Sequence, residues 1–530
     1  MEKSNDLFLS ASSCEKLKLF EKIRKMKIQE MSDNNQLDAF KKQNFQISEV
    51  NLRQIAMQMH KSYGSIYNTF GGIHDDLKQL LNKDDLTTSE MFQVTPDYYH
   101  YFLASNTDAY RFINTVLDQE DYSFSQFCRD VGNSKATELR HLQAMRSYLK
   151  QFKIRISYEP MRFIGTEEVI QMVVTSLYWE ATRGYGWPFK KLRKKNISEF
   201  TDYCLDEFEM VKLNRVTKEY YMLELAVNIL RSKAGHLIHN KNLLKLVSAP
   251  FTSILKENYV EKSQKQSDKQ ADIDKIIGVF TELSNDDRII ETAYLYVIFN
   301  CAPSLATYNE EEINKQLDEL KKHESLIFSL TAKMIEQMPF DLKERLQPDS
   351  NRFKVFEINL ARIIIGSLAF NENYAKIVGF YSGSNLGIKT VDIPEYKKGI
   401  ENQLQHLTLE EEYSSLANKI GLLTDAIYEA SLRMMLLASG RFSVNVYLDV
   451  EDNFLIYMDL AELMQDISYV NLVSDPAKAD LAVVSNIQLK DPRISDDVYI
   501  FNWATDVSNT KYGSLLTLIR DIWTKKKISK

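Results

Sequence analysis

Residues 124–165 read FSQFCRDVGNSKATELRHLQAMRSYLKQFKIRISYEPMRFIG. Phe124–Val131 has helical periodicity, Gly132–Asn133 is a turn signal, and Ser134 offers a side-chain acceptor at the start of a helix predicted over Lys135–Phe152. Leu139, Leu142, Met145 and Leu149 form its apolar stripe, while Lys135, Thr137, Glu138, Arg140, His141 and Arg146 lie mostly on other faces. The continuation, IRISYEPMRFIG, alternates apolar and polar residues on both sides of Glu159–Pro160 and predicts a β-hairpin. Two helices joined by a tight turn and followed by a hairpin make a winged helix-turn-helix. Such a helix can place its opening turns in a DNA major groove, with Ser134, Lys135, Thr137, Glu138, Arg140 and His141 as the candidate contacts. Its unpaired N–H groups would sit on phosphates. The plainer alternative is a packed helical hairpin with a solvated basic face.

An earlier copy of the pattern lies at 52–81, LRQIAMQMHKSYGSIYNTFGGIHDDLKQLL. A short helix, Leu52–Met59, precedes a polar break at His60–Lys61–Ser62, and Ser62 caps a second helix. Ala56 is small enough to let the two helices approach closely. Gly71–Gly72 should weaken the second helix by about 1 kcal/mol per glycine. The candidate DNA contacts here are Ser62, Tyr63, Ser65, Tyr67 and Asn68.

Whole-chain properties bound the reading. A chain of 530 residues exceeds one hydrophobic core and predicts roughly three to five domains. With 17 glycines, 10 prolines and long apolar periodicities, the fold class is mainly α and multidomain. The net charge of −7 argues against wholesale coating of nucleic acid. Between Asn133 and Arg162, however, seven cations (Lys135, Arg140, Arg146, Lys150, Lys153, Arg155, Arg162) face two acids, Glu138 and Glu159. A local basic face on an acidic chain suits a specific binder. The four cysteines are widely spaced, so neither a zinc site nor a disulfide framework is expected. No signal peptide or run of about 20 apolar residues is visible, and a cytoplasmic location is expected. GxSxG, Walker A, HExxH and GxGxxG are missing as coherent units, so no enzyme, metal or cofactor is expected.

From Val169 to about Gly387 the chain reads as long helices, interrupted by the hydrophilic stretch KSQKQSDKQADID at 262–274. A softer boundary falls at Thr390–Lys398. The last hundred residues alternate strands (442–450, 469–474, 480–485, 498–503) with helices at 454–466 and 512–526. That alternation predicts a small α/β domain with a largely parallel sheet. The boundaries follow as 1–90, 91–168, 169–270, 271–395 and 396–530.

The order of features after the second motif resembles the Mga family of Gram-positive virulence regulators. The carrying residues are the recognition helix, Phe163–Ile164–Gly165 with Glu167, and then Tyr178–Trp179–Glu180 and Trp187–Pro188–Phe189. The resemblance implies two helix-turn-helix domains, two PTS-regulation-like domains and a C-terminal domain similar to enzyme IIB. It also implies promoter binding, a homodimer formed through the C-terminal half, and regulation by a phosphocarrier protein of the phosphotransferase system. His236, after the helix predicted at Leu223–Arg231, is similar in placement to the phospho-acceptor of the first regulation domain, and His239 could substitute for it.

The chain departs from the family pattern downstream. The second regulation-like domain has His323 as its one histidine, on an amphipathic helix, and 361–383 has none. The C-terminal domain has no cysteine after its first strand; Asp449, Glu451 and Asp452 there would repel a phosphate. Phosphotransfer by that domain is not expected. The basic run Arg183–Lys195 reads equally as a phosphate-contacting extension or a solvated loop. The function class is a DNA-binding transcription regulator, an activator by the family resemblance. An RNA-binding antiterminator with PTS-regulation domains is the alternative, disfavoured because residues 1–130 read as helical rather than β-rich.

Overall fold

The computed structural model describes residues 6–30, 47, 49–118, 121–210, 213–247, 278–280, 282–301, 309–338, 350–381, 393–438, 443–450, 454–467, 469–485, 491–503 and 509–528. The predicted linker at 262–274 lies outside them. The chain is mainly helical and divides into two compact units, Met1–Phe299 and Asn300–Lys530.

The first unit opens with α1 (Ala11–Glu30), whose Leu19, Phe20, Ile23 and Met26 are buried. It packs on α3 (Tyr63–Leu81) and α5 (Pro96–Ser105). Phe20 stacks on Phe92 at 5.1 Å between ring centroids. Asp76 of α3 accepts from Lys16 at 2.9 Å and from the Tyr99 hydroxyl at 2.7 Å, joining three helices through one carboxylate. Preceding α3 is α2 (Leu52–Gln58), capped by Asn51 and ending in the break that leads to Ser62. Gly71 and Gly72 do not interrupt α3. Ile66, Ile73 and Leu77 are buried along it, each contributing about 1.5–3 kcal/mol, which outweighs the glycine cost.

Next come α4 (Thr88–Met91) and α6 (Asp108–Asp118), then α7 (Phe124–Asp130), which starts with a Ser123–Gln126 capping box. Gly132, at φ +76°, makes the turn in a region where glycine has no steric penalty. The single helix predicted over Lys135–Phe152 is instead two, α8 (Lys135–His141) and α9 (Gln143–Gln151), bent at Leu142. Hydrogen bonding persists through the bend, with Leu142 N–H on the Glu138 carbonyl and Arg146 N–H on the Leu142 carbonyl, both at 2.9 Å.

The predicted hairpin is present as β1 (Arg155–Tyr158) and β2 (Met161–Ile164), antiparallel, with Tyr158 opposite Met161. Phe163 from β2 meets the buried Phe112 of α6, and Phe112 also meets Phe124 and Phe127 of α7, all at 5.5–6.4 Å in edge-on geometry. The wing and the first helix of the motif therefore share one aromatic core with α6.

Behind this lie α10 (Glu167–Thr182), α11 (Lys194–Glu207) and α12 (Arg215–Lys233), with α13 (Asn285–Cys301) packed on α12. The sequence reading places α13 within 271–395; its Glu291 and Tyr294 bond residues of 169–270, and its Cys301 carbonyl accepts from Tyr374. Asn228 donates to Gln171 at 3.0 Å and to Glu291 at 2.8 Å, and Tyr294 donates to Glu224. Arg231 grips Glu167 through two nitrogens at 2.5 and 2.7 Å. Removing Glu167 would strand the buried Arg231 guanidinium, at a cost of up to about 3 kcal/mol for a pair of which one member is still partly exposed.

In the second unit, α14 (Glu310–His323), α15 (Ser325–Glu336), α16 (Asn351–Phe370) and α17 (Glu372–Tyr381) are followed by α18 (Pro394–Leu407) and α19 (Ile420–Ala438). Buried Arg362 donates to Gln316 at 2.6 Å across α16 and α14. Strands β3 (Val444–Asp449), β4 (Val470–Leu472), β5 (Leu481–Val484) and β6 (Tyr499–Asn502) form one parallel sheet in the order β4-β3-β5-β6. Each strand falls inside a segment read as β from the sequence. Helix α20 (Phe454–Gln465) connects β3 to β4, and α21 (Asn509–Ile528) packs on β3.

Burial keeps the Glu224 carboxyl protonated up to about 7, against an ordinary 4.5. The folded unit thus binds a proton that the unfolded chain has released, so this stabilisation is complete below the ordinary value and lost as pH rises through 7. Glu224→Gln keeps the acceptor for Tyr294 without the charge. It should flatten the decline in melting temperature between about pH 5 and pH 8, by the equivalent of on the order of 2 kcal/mol. Thermal unfolding across that range checks this; a decline equal to that of the parent chain would contradict it.

Candidate nucleic-acid interface

The second motif is built on Ser134, whose hydroxyl accepts from the Thr137 N–H at 3.2 Å. Ser134, Lys135 and Arg140 are exposed, and Thr137 is half-buried with its hydroxyl on that of Ser134 at 2.9 Å. Arg146, Lys150, Lys153, Arg155 and Arg162 are exposed as well, so all seven cations of the segment face solvent. Glu159, at the wing tip, is exposed with them.

Glu138 is the correction. Expected on the contact face, it is 0 % exposed. Its carboxylate accepts from the Asn133 side-chain amide at 2.7 Å, and that amide also reaches Asp108 at 3.3 Å. Burial, with a smaller contribution from Asp108, raises the Glu138 pKa against the pull of Asn133 and His141. Glu138 cannot meet DNA; it anchors α8 to the start of α6. The signal was in the spacing, since 138, 142, 145 and 149 form a stripe at helical intervals. An acidic residue there reads as surface until a buried amide partner is known. Leu139, placed in the stripe by the sequence reading, is only half-buried.

His141 is exposed, but its Nδ1 lies 2.9 Å from Asp108. It too holds the helix in place. Donor atoms of Asp108, Glu138 and His141 lie within 4.8 Å of one another, as do those of Asp6, His100 and Glu180, so either group has the residue types to hold a cation. Asn133 and Asp108 are the residues that sequence reasoning missed.

In the first motif Ser62 accepts from the Ser65 N–H at 3.2 Å. Ser62, Tyr63, Ser65, Tyr67 and Asn68 are all exposed on the opening turns of α3. The neighbouring Lys61 is paired with Glu15 at 2.9 Å.

The basic run at 183–195 is partly engaged within the unit. Arg183 pairs with Asp97 at 2.9 Å, Lys194 with Glu219 at 2.9 Å, and Lys191 donates to the Asp118 carbonyl at 2.5 Å. Lys190 and Lys195 are exposed. Lys190 borders an open cavity of about 280 Å³ that is also lined by Arg111, Asp118, Tyr122 and Asp130.

His236 follows Gly235, which has φ +76° and ends α12; the His236 N–H bonds the Arg231 carbonyl at 2.9 Å. His236 is half-buried and His239 exposed. Their loop is held by Ile238 N–H on Glu291 at 2.9 Å and by Asn240 on Glu168 at 2.9 Å. In the second unit, His323 ends α14 with Nε2 3.1 Å from Glu319. Asp449 closes β3 and accepts from the Asp491 N–H at 2.9 Å, whereas Glu451 and Asp452 lie outside the described residues.

Glu138→Ala should lower unfolding stability by about 2 kcal/mol, since it leaves the Asn133 amide without its buried acceptor. Arg140→Ala should change it by less than about 0.5 kcal/mol. Urea unfolding of both variants checks the pair; an unchanged midpoint for Glu138→Ala would remove its anchoring role.

No helix among the described residues is long and apolar enough to cross a membrane. Residues 93–178 match the Mga helix-turn-helix domain. The chain is 21% identical over 254 residues to the capsule synthesis positive regulator AcpB of Bacillus anthracis, covering 47% of this chain and 48% of that protein. It is 23% identical over 159 residues to a candidate trans-acting regulator of Streptococcus pneumoniae, 30% of each chain. The matches thus span half or less of these relatives' lengths. The matched residues 93–178 hold α5 to α9, the wing and most of α10, and the chain is similar to regulators of the Mga type.

Proposed function

We propose that the chain is a DNA-binding transcription regulator of the Mga type, an activator that grips promoter DNA through α8 and the wing, with α3 as a second contact. The observation that carries this is the exposure of all seven cations between Lys135 and Arg162 while Glu138 is turned inward, within the segment matching the Mga helix-turn-helix domain. Such a surface attracts phosphates even though the chain is acidic overall. The reading as an activator, rather than a repressor, is supported by the name of AcpB, a positive regulator. The chain acts in the cytoplasm, without catalysis.

The contacts we assign are Ser134, Lys135 and Arg140 in the second motif and Ser62, Tyr63, Ser65, Tyr67 and Asn68 in the first. Replacing Lys135 and Arg140 by Ala should weaken binding to duplex DNA at least about tenfold at low salt. The log–log salt dependence should become shallower by about two phosphate contacts. Gel shifts over a salt series check this. Unchanged affinity would remove α8 from the interface, and preferential binding of RNA would favour the antiterminator alternative.

We further propose that residues 169–270 and 271–395 are PTS-regulation-like domains, that 396–530 is an enzyme IIB-like domain providing a homodimer contact, and that His236, with His239 in reserve, takes a phosphoryl group from a phosphocarrier protein. The placement of His236 on a loop after Gly235 supports this, since the donor must reach a ring nitrogen in line. Charged phosphocarrier should label the full chain at His236 and change its sedimentation, and deletion of 396–530 should lower self-association. Absence of label at both histidines, or unaltered sedimentation after the deletion, would overturn the corresponding part.

A further inference from the structure

The two motifs present different chemistry to solvent. From Tyr63 to His74, α3 carries no Lys, Arg, Asp or Glu; its first charge is Asp75. Instead its opening turns expose Tyr63 at 48 % and Tyr67 at 58 %, their rings 6.0 Å apart. Asn68 and Ser65 are exposed beside them, and Met57 at the end of α2 is 71 % exposed. The cations bordering this patch are engaged, Lys61 with Glu15 and Arg53 over the Tyr63 ring at 5.7 Å from its centroid. Around α8, α9 and the wing the surface is cationic.

Large apolar side chains left in water gain nothing at about 25 cal/mol per Å² of uncovered area. A neutral patch of aromatic, amide and hydroxyl groups can donate to phosphate oxygens but brings no positive charge to hold them. It does match base edges in the major groove. There, adenine shows the N6/N7 pair that a side-chain amide contacts bidentately, and thymine shows a C5-methyl that accepts apolar contact. The position of the patch, on the first two turns of the second helix of a helix-turn-helix, is the part of such a motif that faces base edges.

Resting on the reading of the chain as a duplex-DNA binder, we propose that α3 is its base reader and that it selects A·T pairs. Asn68 contacts an adenine edge, and Tyr67, supported by Tyr63, contacts thymine methyls. The cationic second motif supplies the salt-dependent hold on the backbone. Specificity and affinity are thereby divided between the two motifs.

The test uses the full chain and a pool of random-sequence duplexes, from which retained sequences are enriched. The best duplex is then remade with uracil for thymine, which removes only the C5-methyl groups. The enriched sequences should be biased to A·T, and uracil should weaken wild-type binding about tenfold. Tyr67→Ala should bind the thymine duplex as weakly as the wild type binds the uracil one. It should be indifferent to the exchange, keep the parental salt slope, and recover with Tyr67→Phe. Asn68→Ala should lose the A·T bias. Arg140→Ala should do the reverse, losing salt slope and keeping the uracil penalty. Equal wild-type affinity for thymine and uracil duplexes, or no A·T bias, overturns the assignment of α3 alone. A Tyr67→Ala effect confined to self-association would also overturn it, by making the patch a protein contact. Retention of no duplex at all overturns the DNA-binding reading and this one together.

Discussion

The Asn133 amide, donating to Glu138 and reaching Asp108, sets where α8 points. It sits directly after the Gly132 turn, so the residue that ends the turn also fastens the helix that follows. A carboxylate buried without such a donor would be expelled to solvent or forced neutral, at a cost of several kcal/mol. With Glu138 held inward and His141 tied to Asp108, the outward face of α8 is left to Ser134, Lys135 and Arg140. The electrostatic character of the surface therefore follows from a polar contact beneath it.

Burying acids is a wider habit of the first unit. Glu138, Glu168, Glu224 and Glu291 are all inside, each with a raised pKa whose first cause is burial. Three of them lie in the helical layer behind the wing, where Glu291 and Glu168 hold the loop of His236 and His239 through Ile238 and Asn240. The loop is thus ordered by hydrogen bonds to carboxylates rather than by apolar packing alone. Low local dielectric makes such contacts strong when satisfied and costly when broken. Burial pushes the Glu291 carboxyl up to about 7, so a charge arriving on that loop would act on a group that titrates near neutrality.

The two helix-turn-helix motifs share geometry but not surface chemistry. Each has a serine cap, a short first helix and a second helix with an open face. The α3 face is aromatic and neutral, whereas the α8 face continues into the cations of α9 and the wing. Aromatic packing behaves differently too. The Phe112, Phe124, Phe127 and Phe163 rings are committed to the wing core, while Tyr63 and Tyr67 remain outside. The same residue class serves as interior in one motif and as surface in the other.

Local rules were enough for the elements themselves. The caps at Ser62 and Ser134, the Gly132 turn, the Tyr158–Met161 hairpin and the four short parallel strands all depend on near neighbours or simple periodicity, so they were legible in the chain. The exposure of Lys135 and Arg140 was legible for the same reason. What tertiary structure alone decided was the inward turn of Glu138, the bend at Leu142, the attachment of α13 to α12 through Glu291, and the engagement of Arg183, Lys191 and Lys194. Each depends on a partner distant in sequence or on a buried polar group. A charged residue carries no local sign of whether water or a buried amide will solvate it.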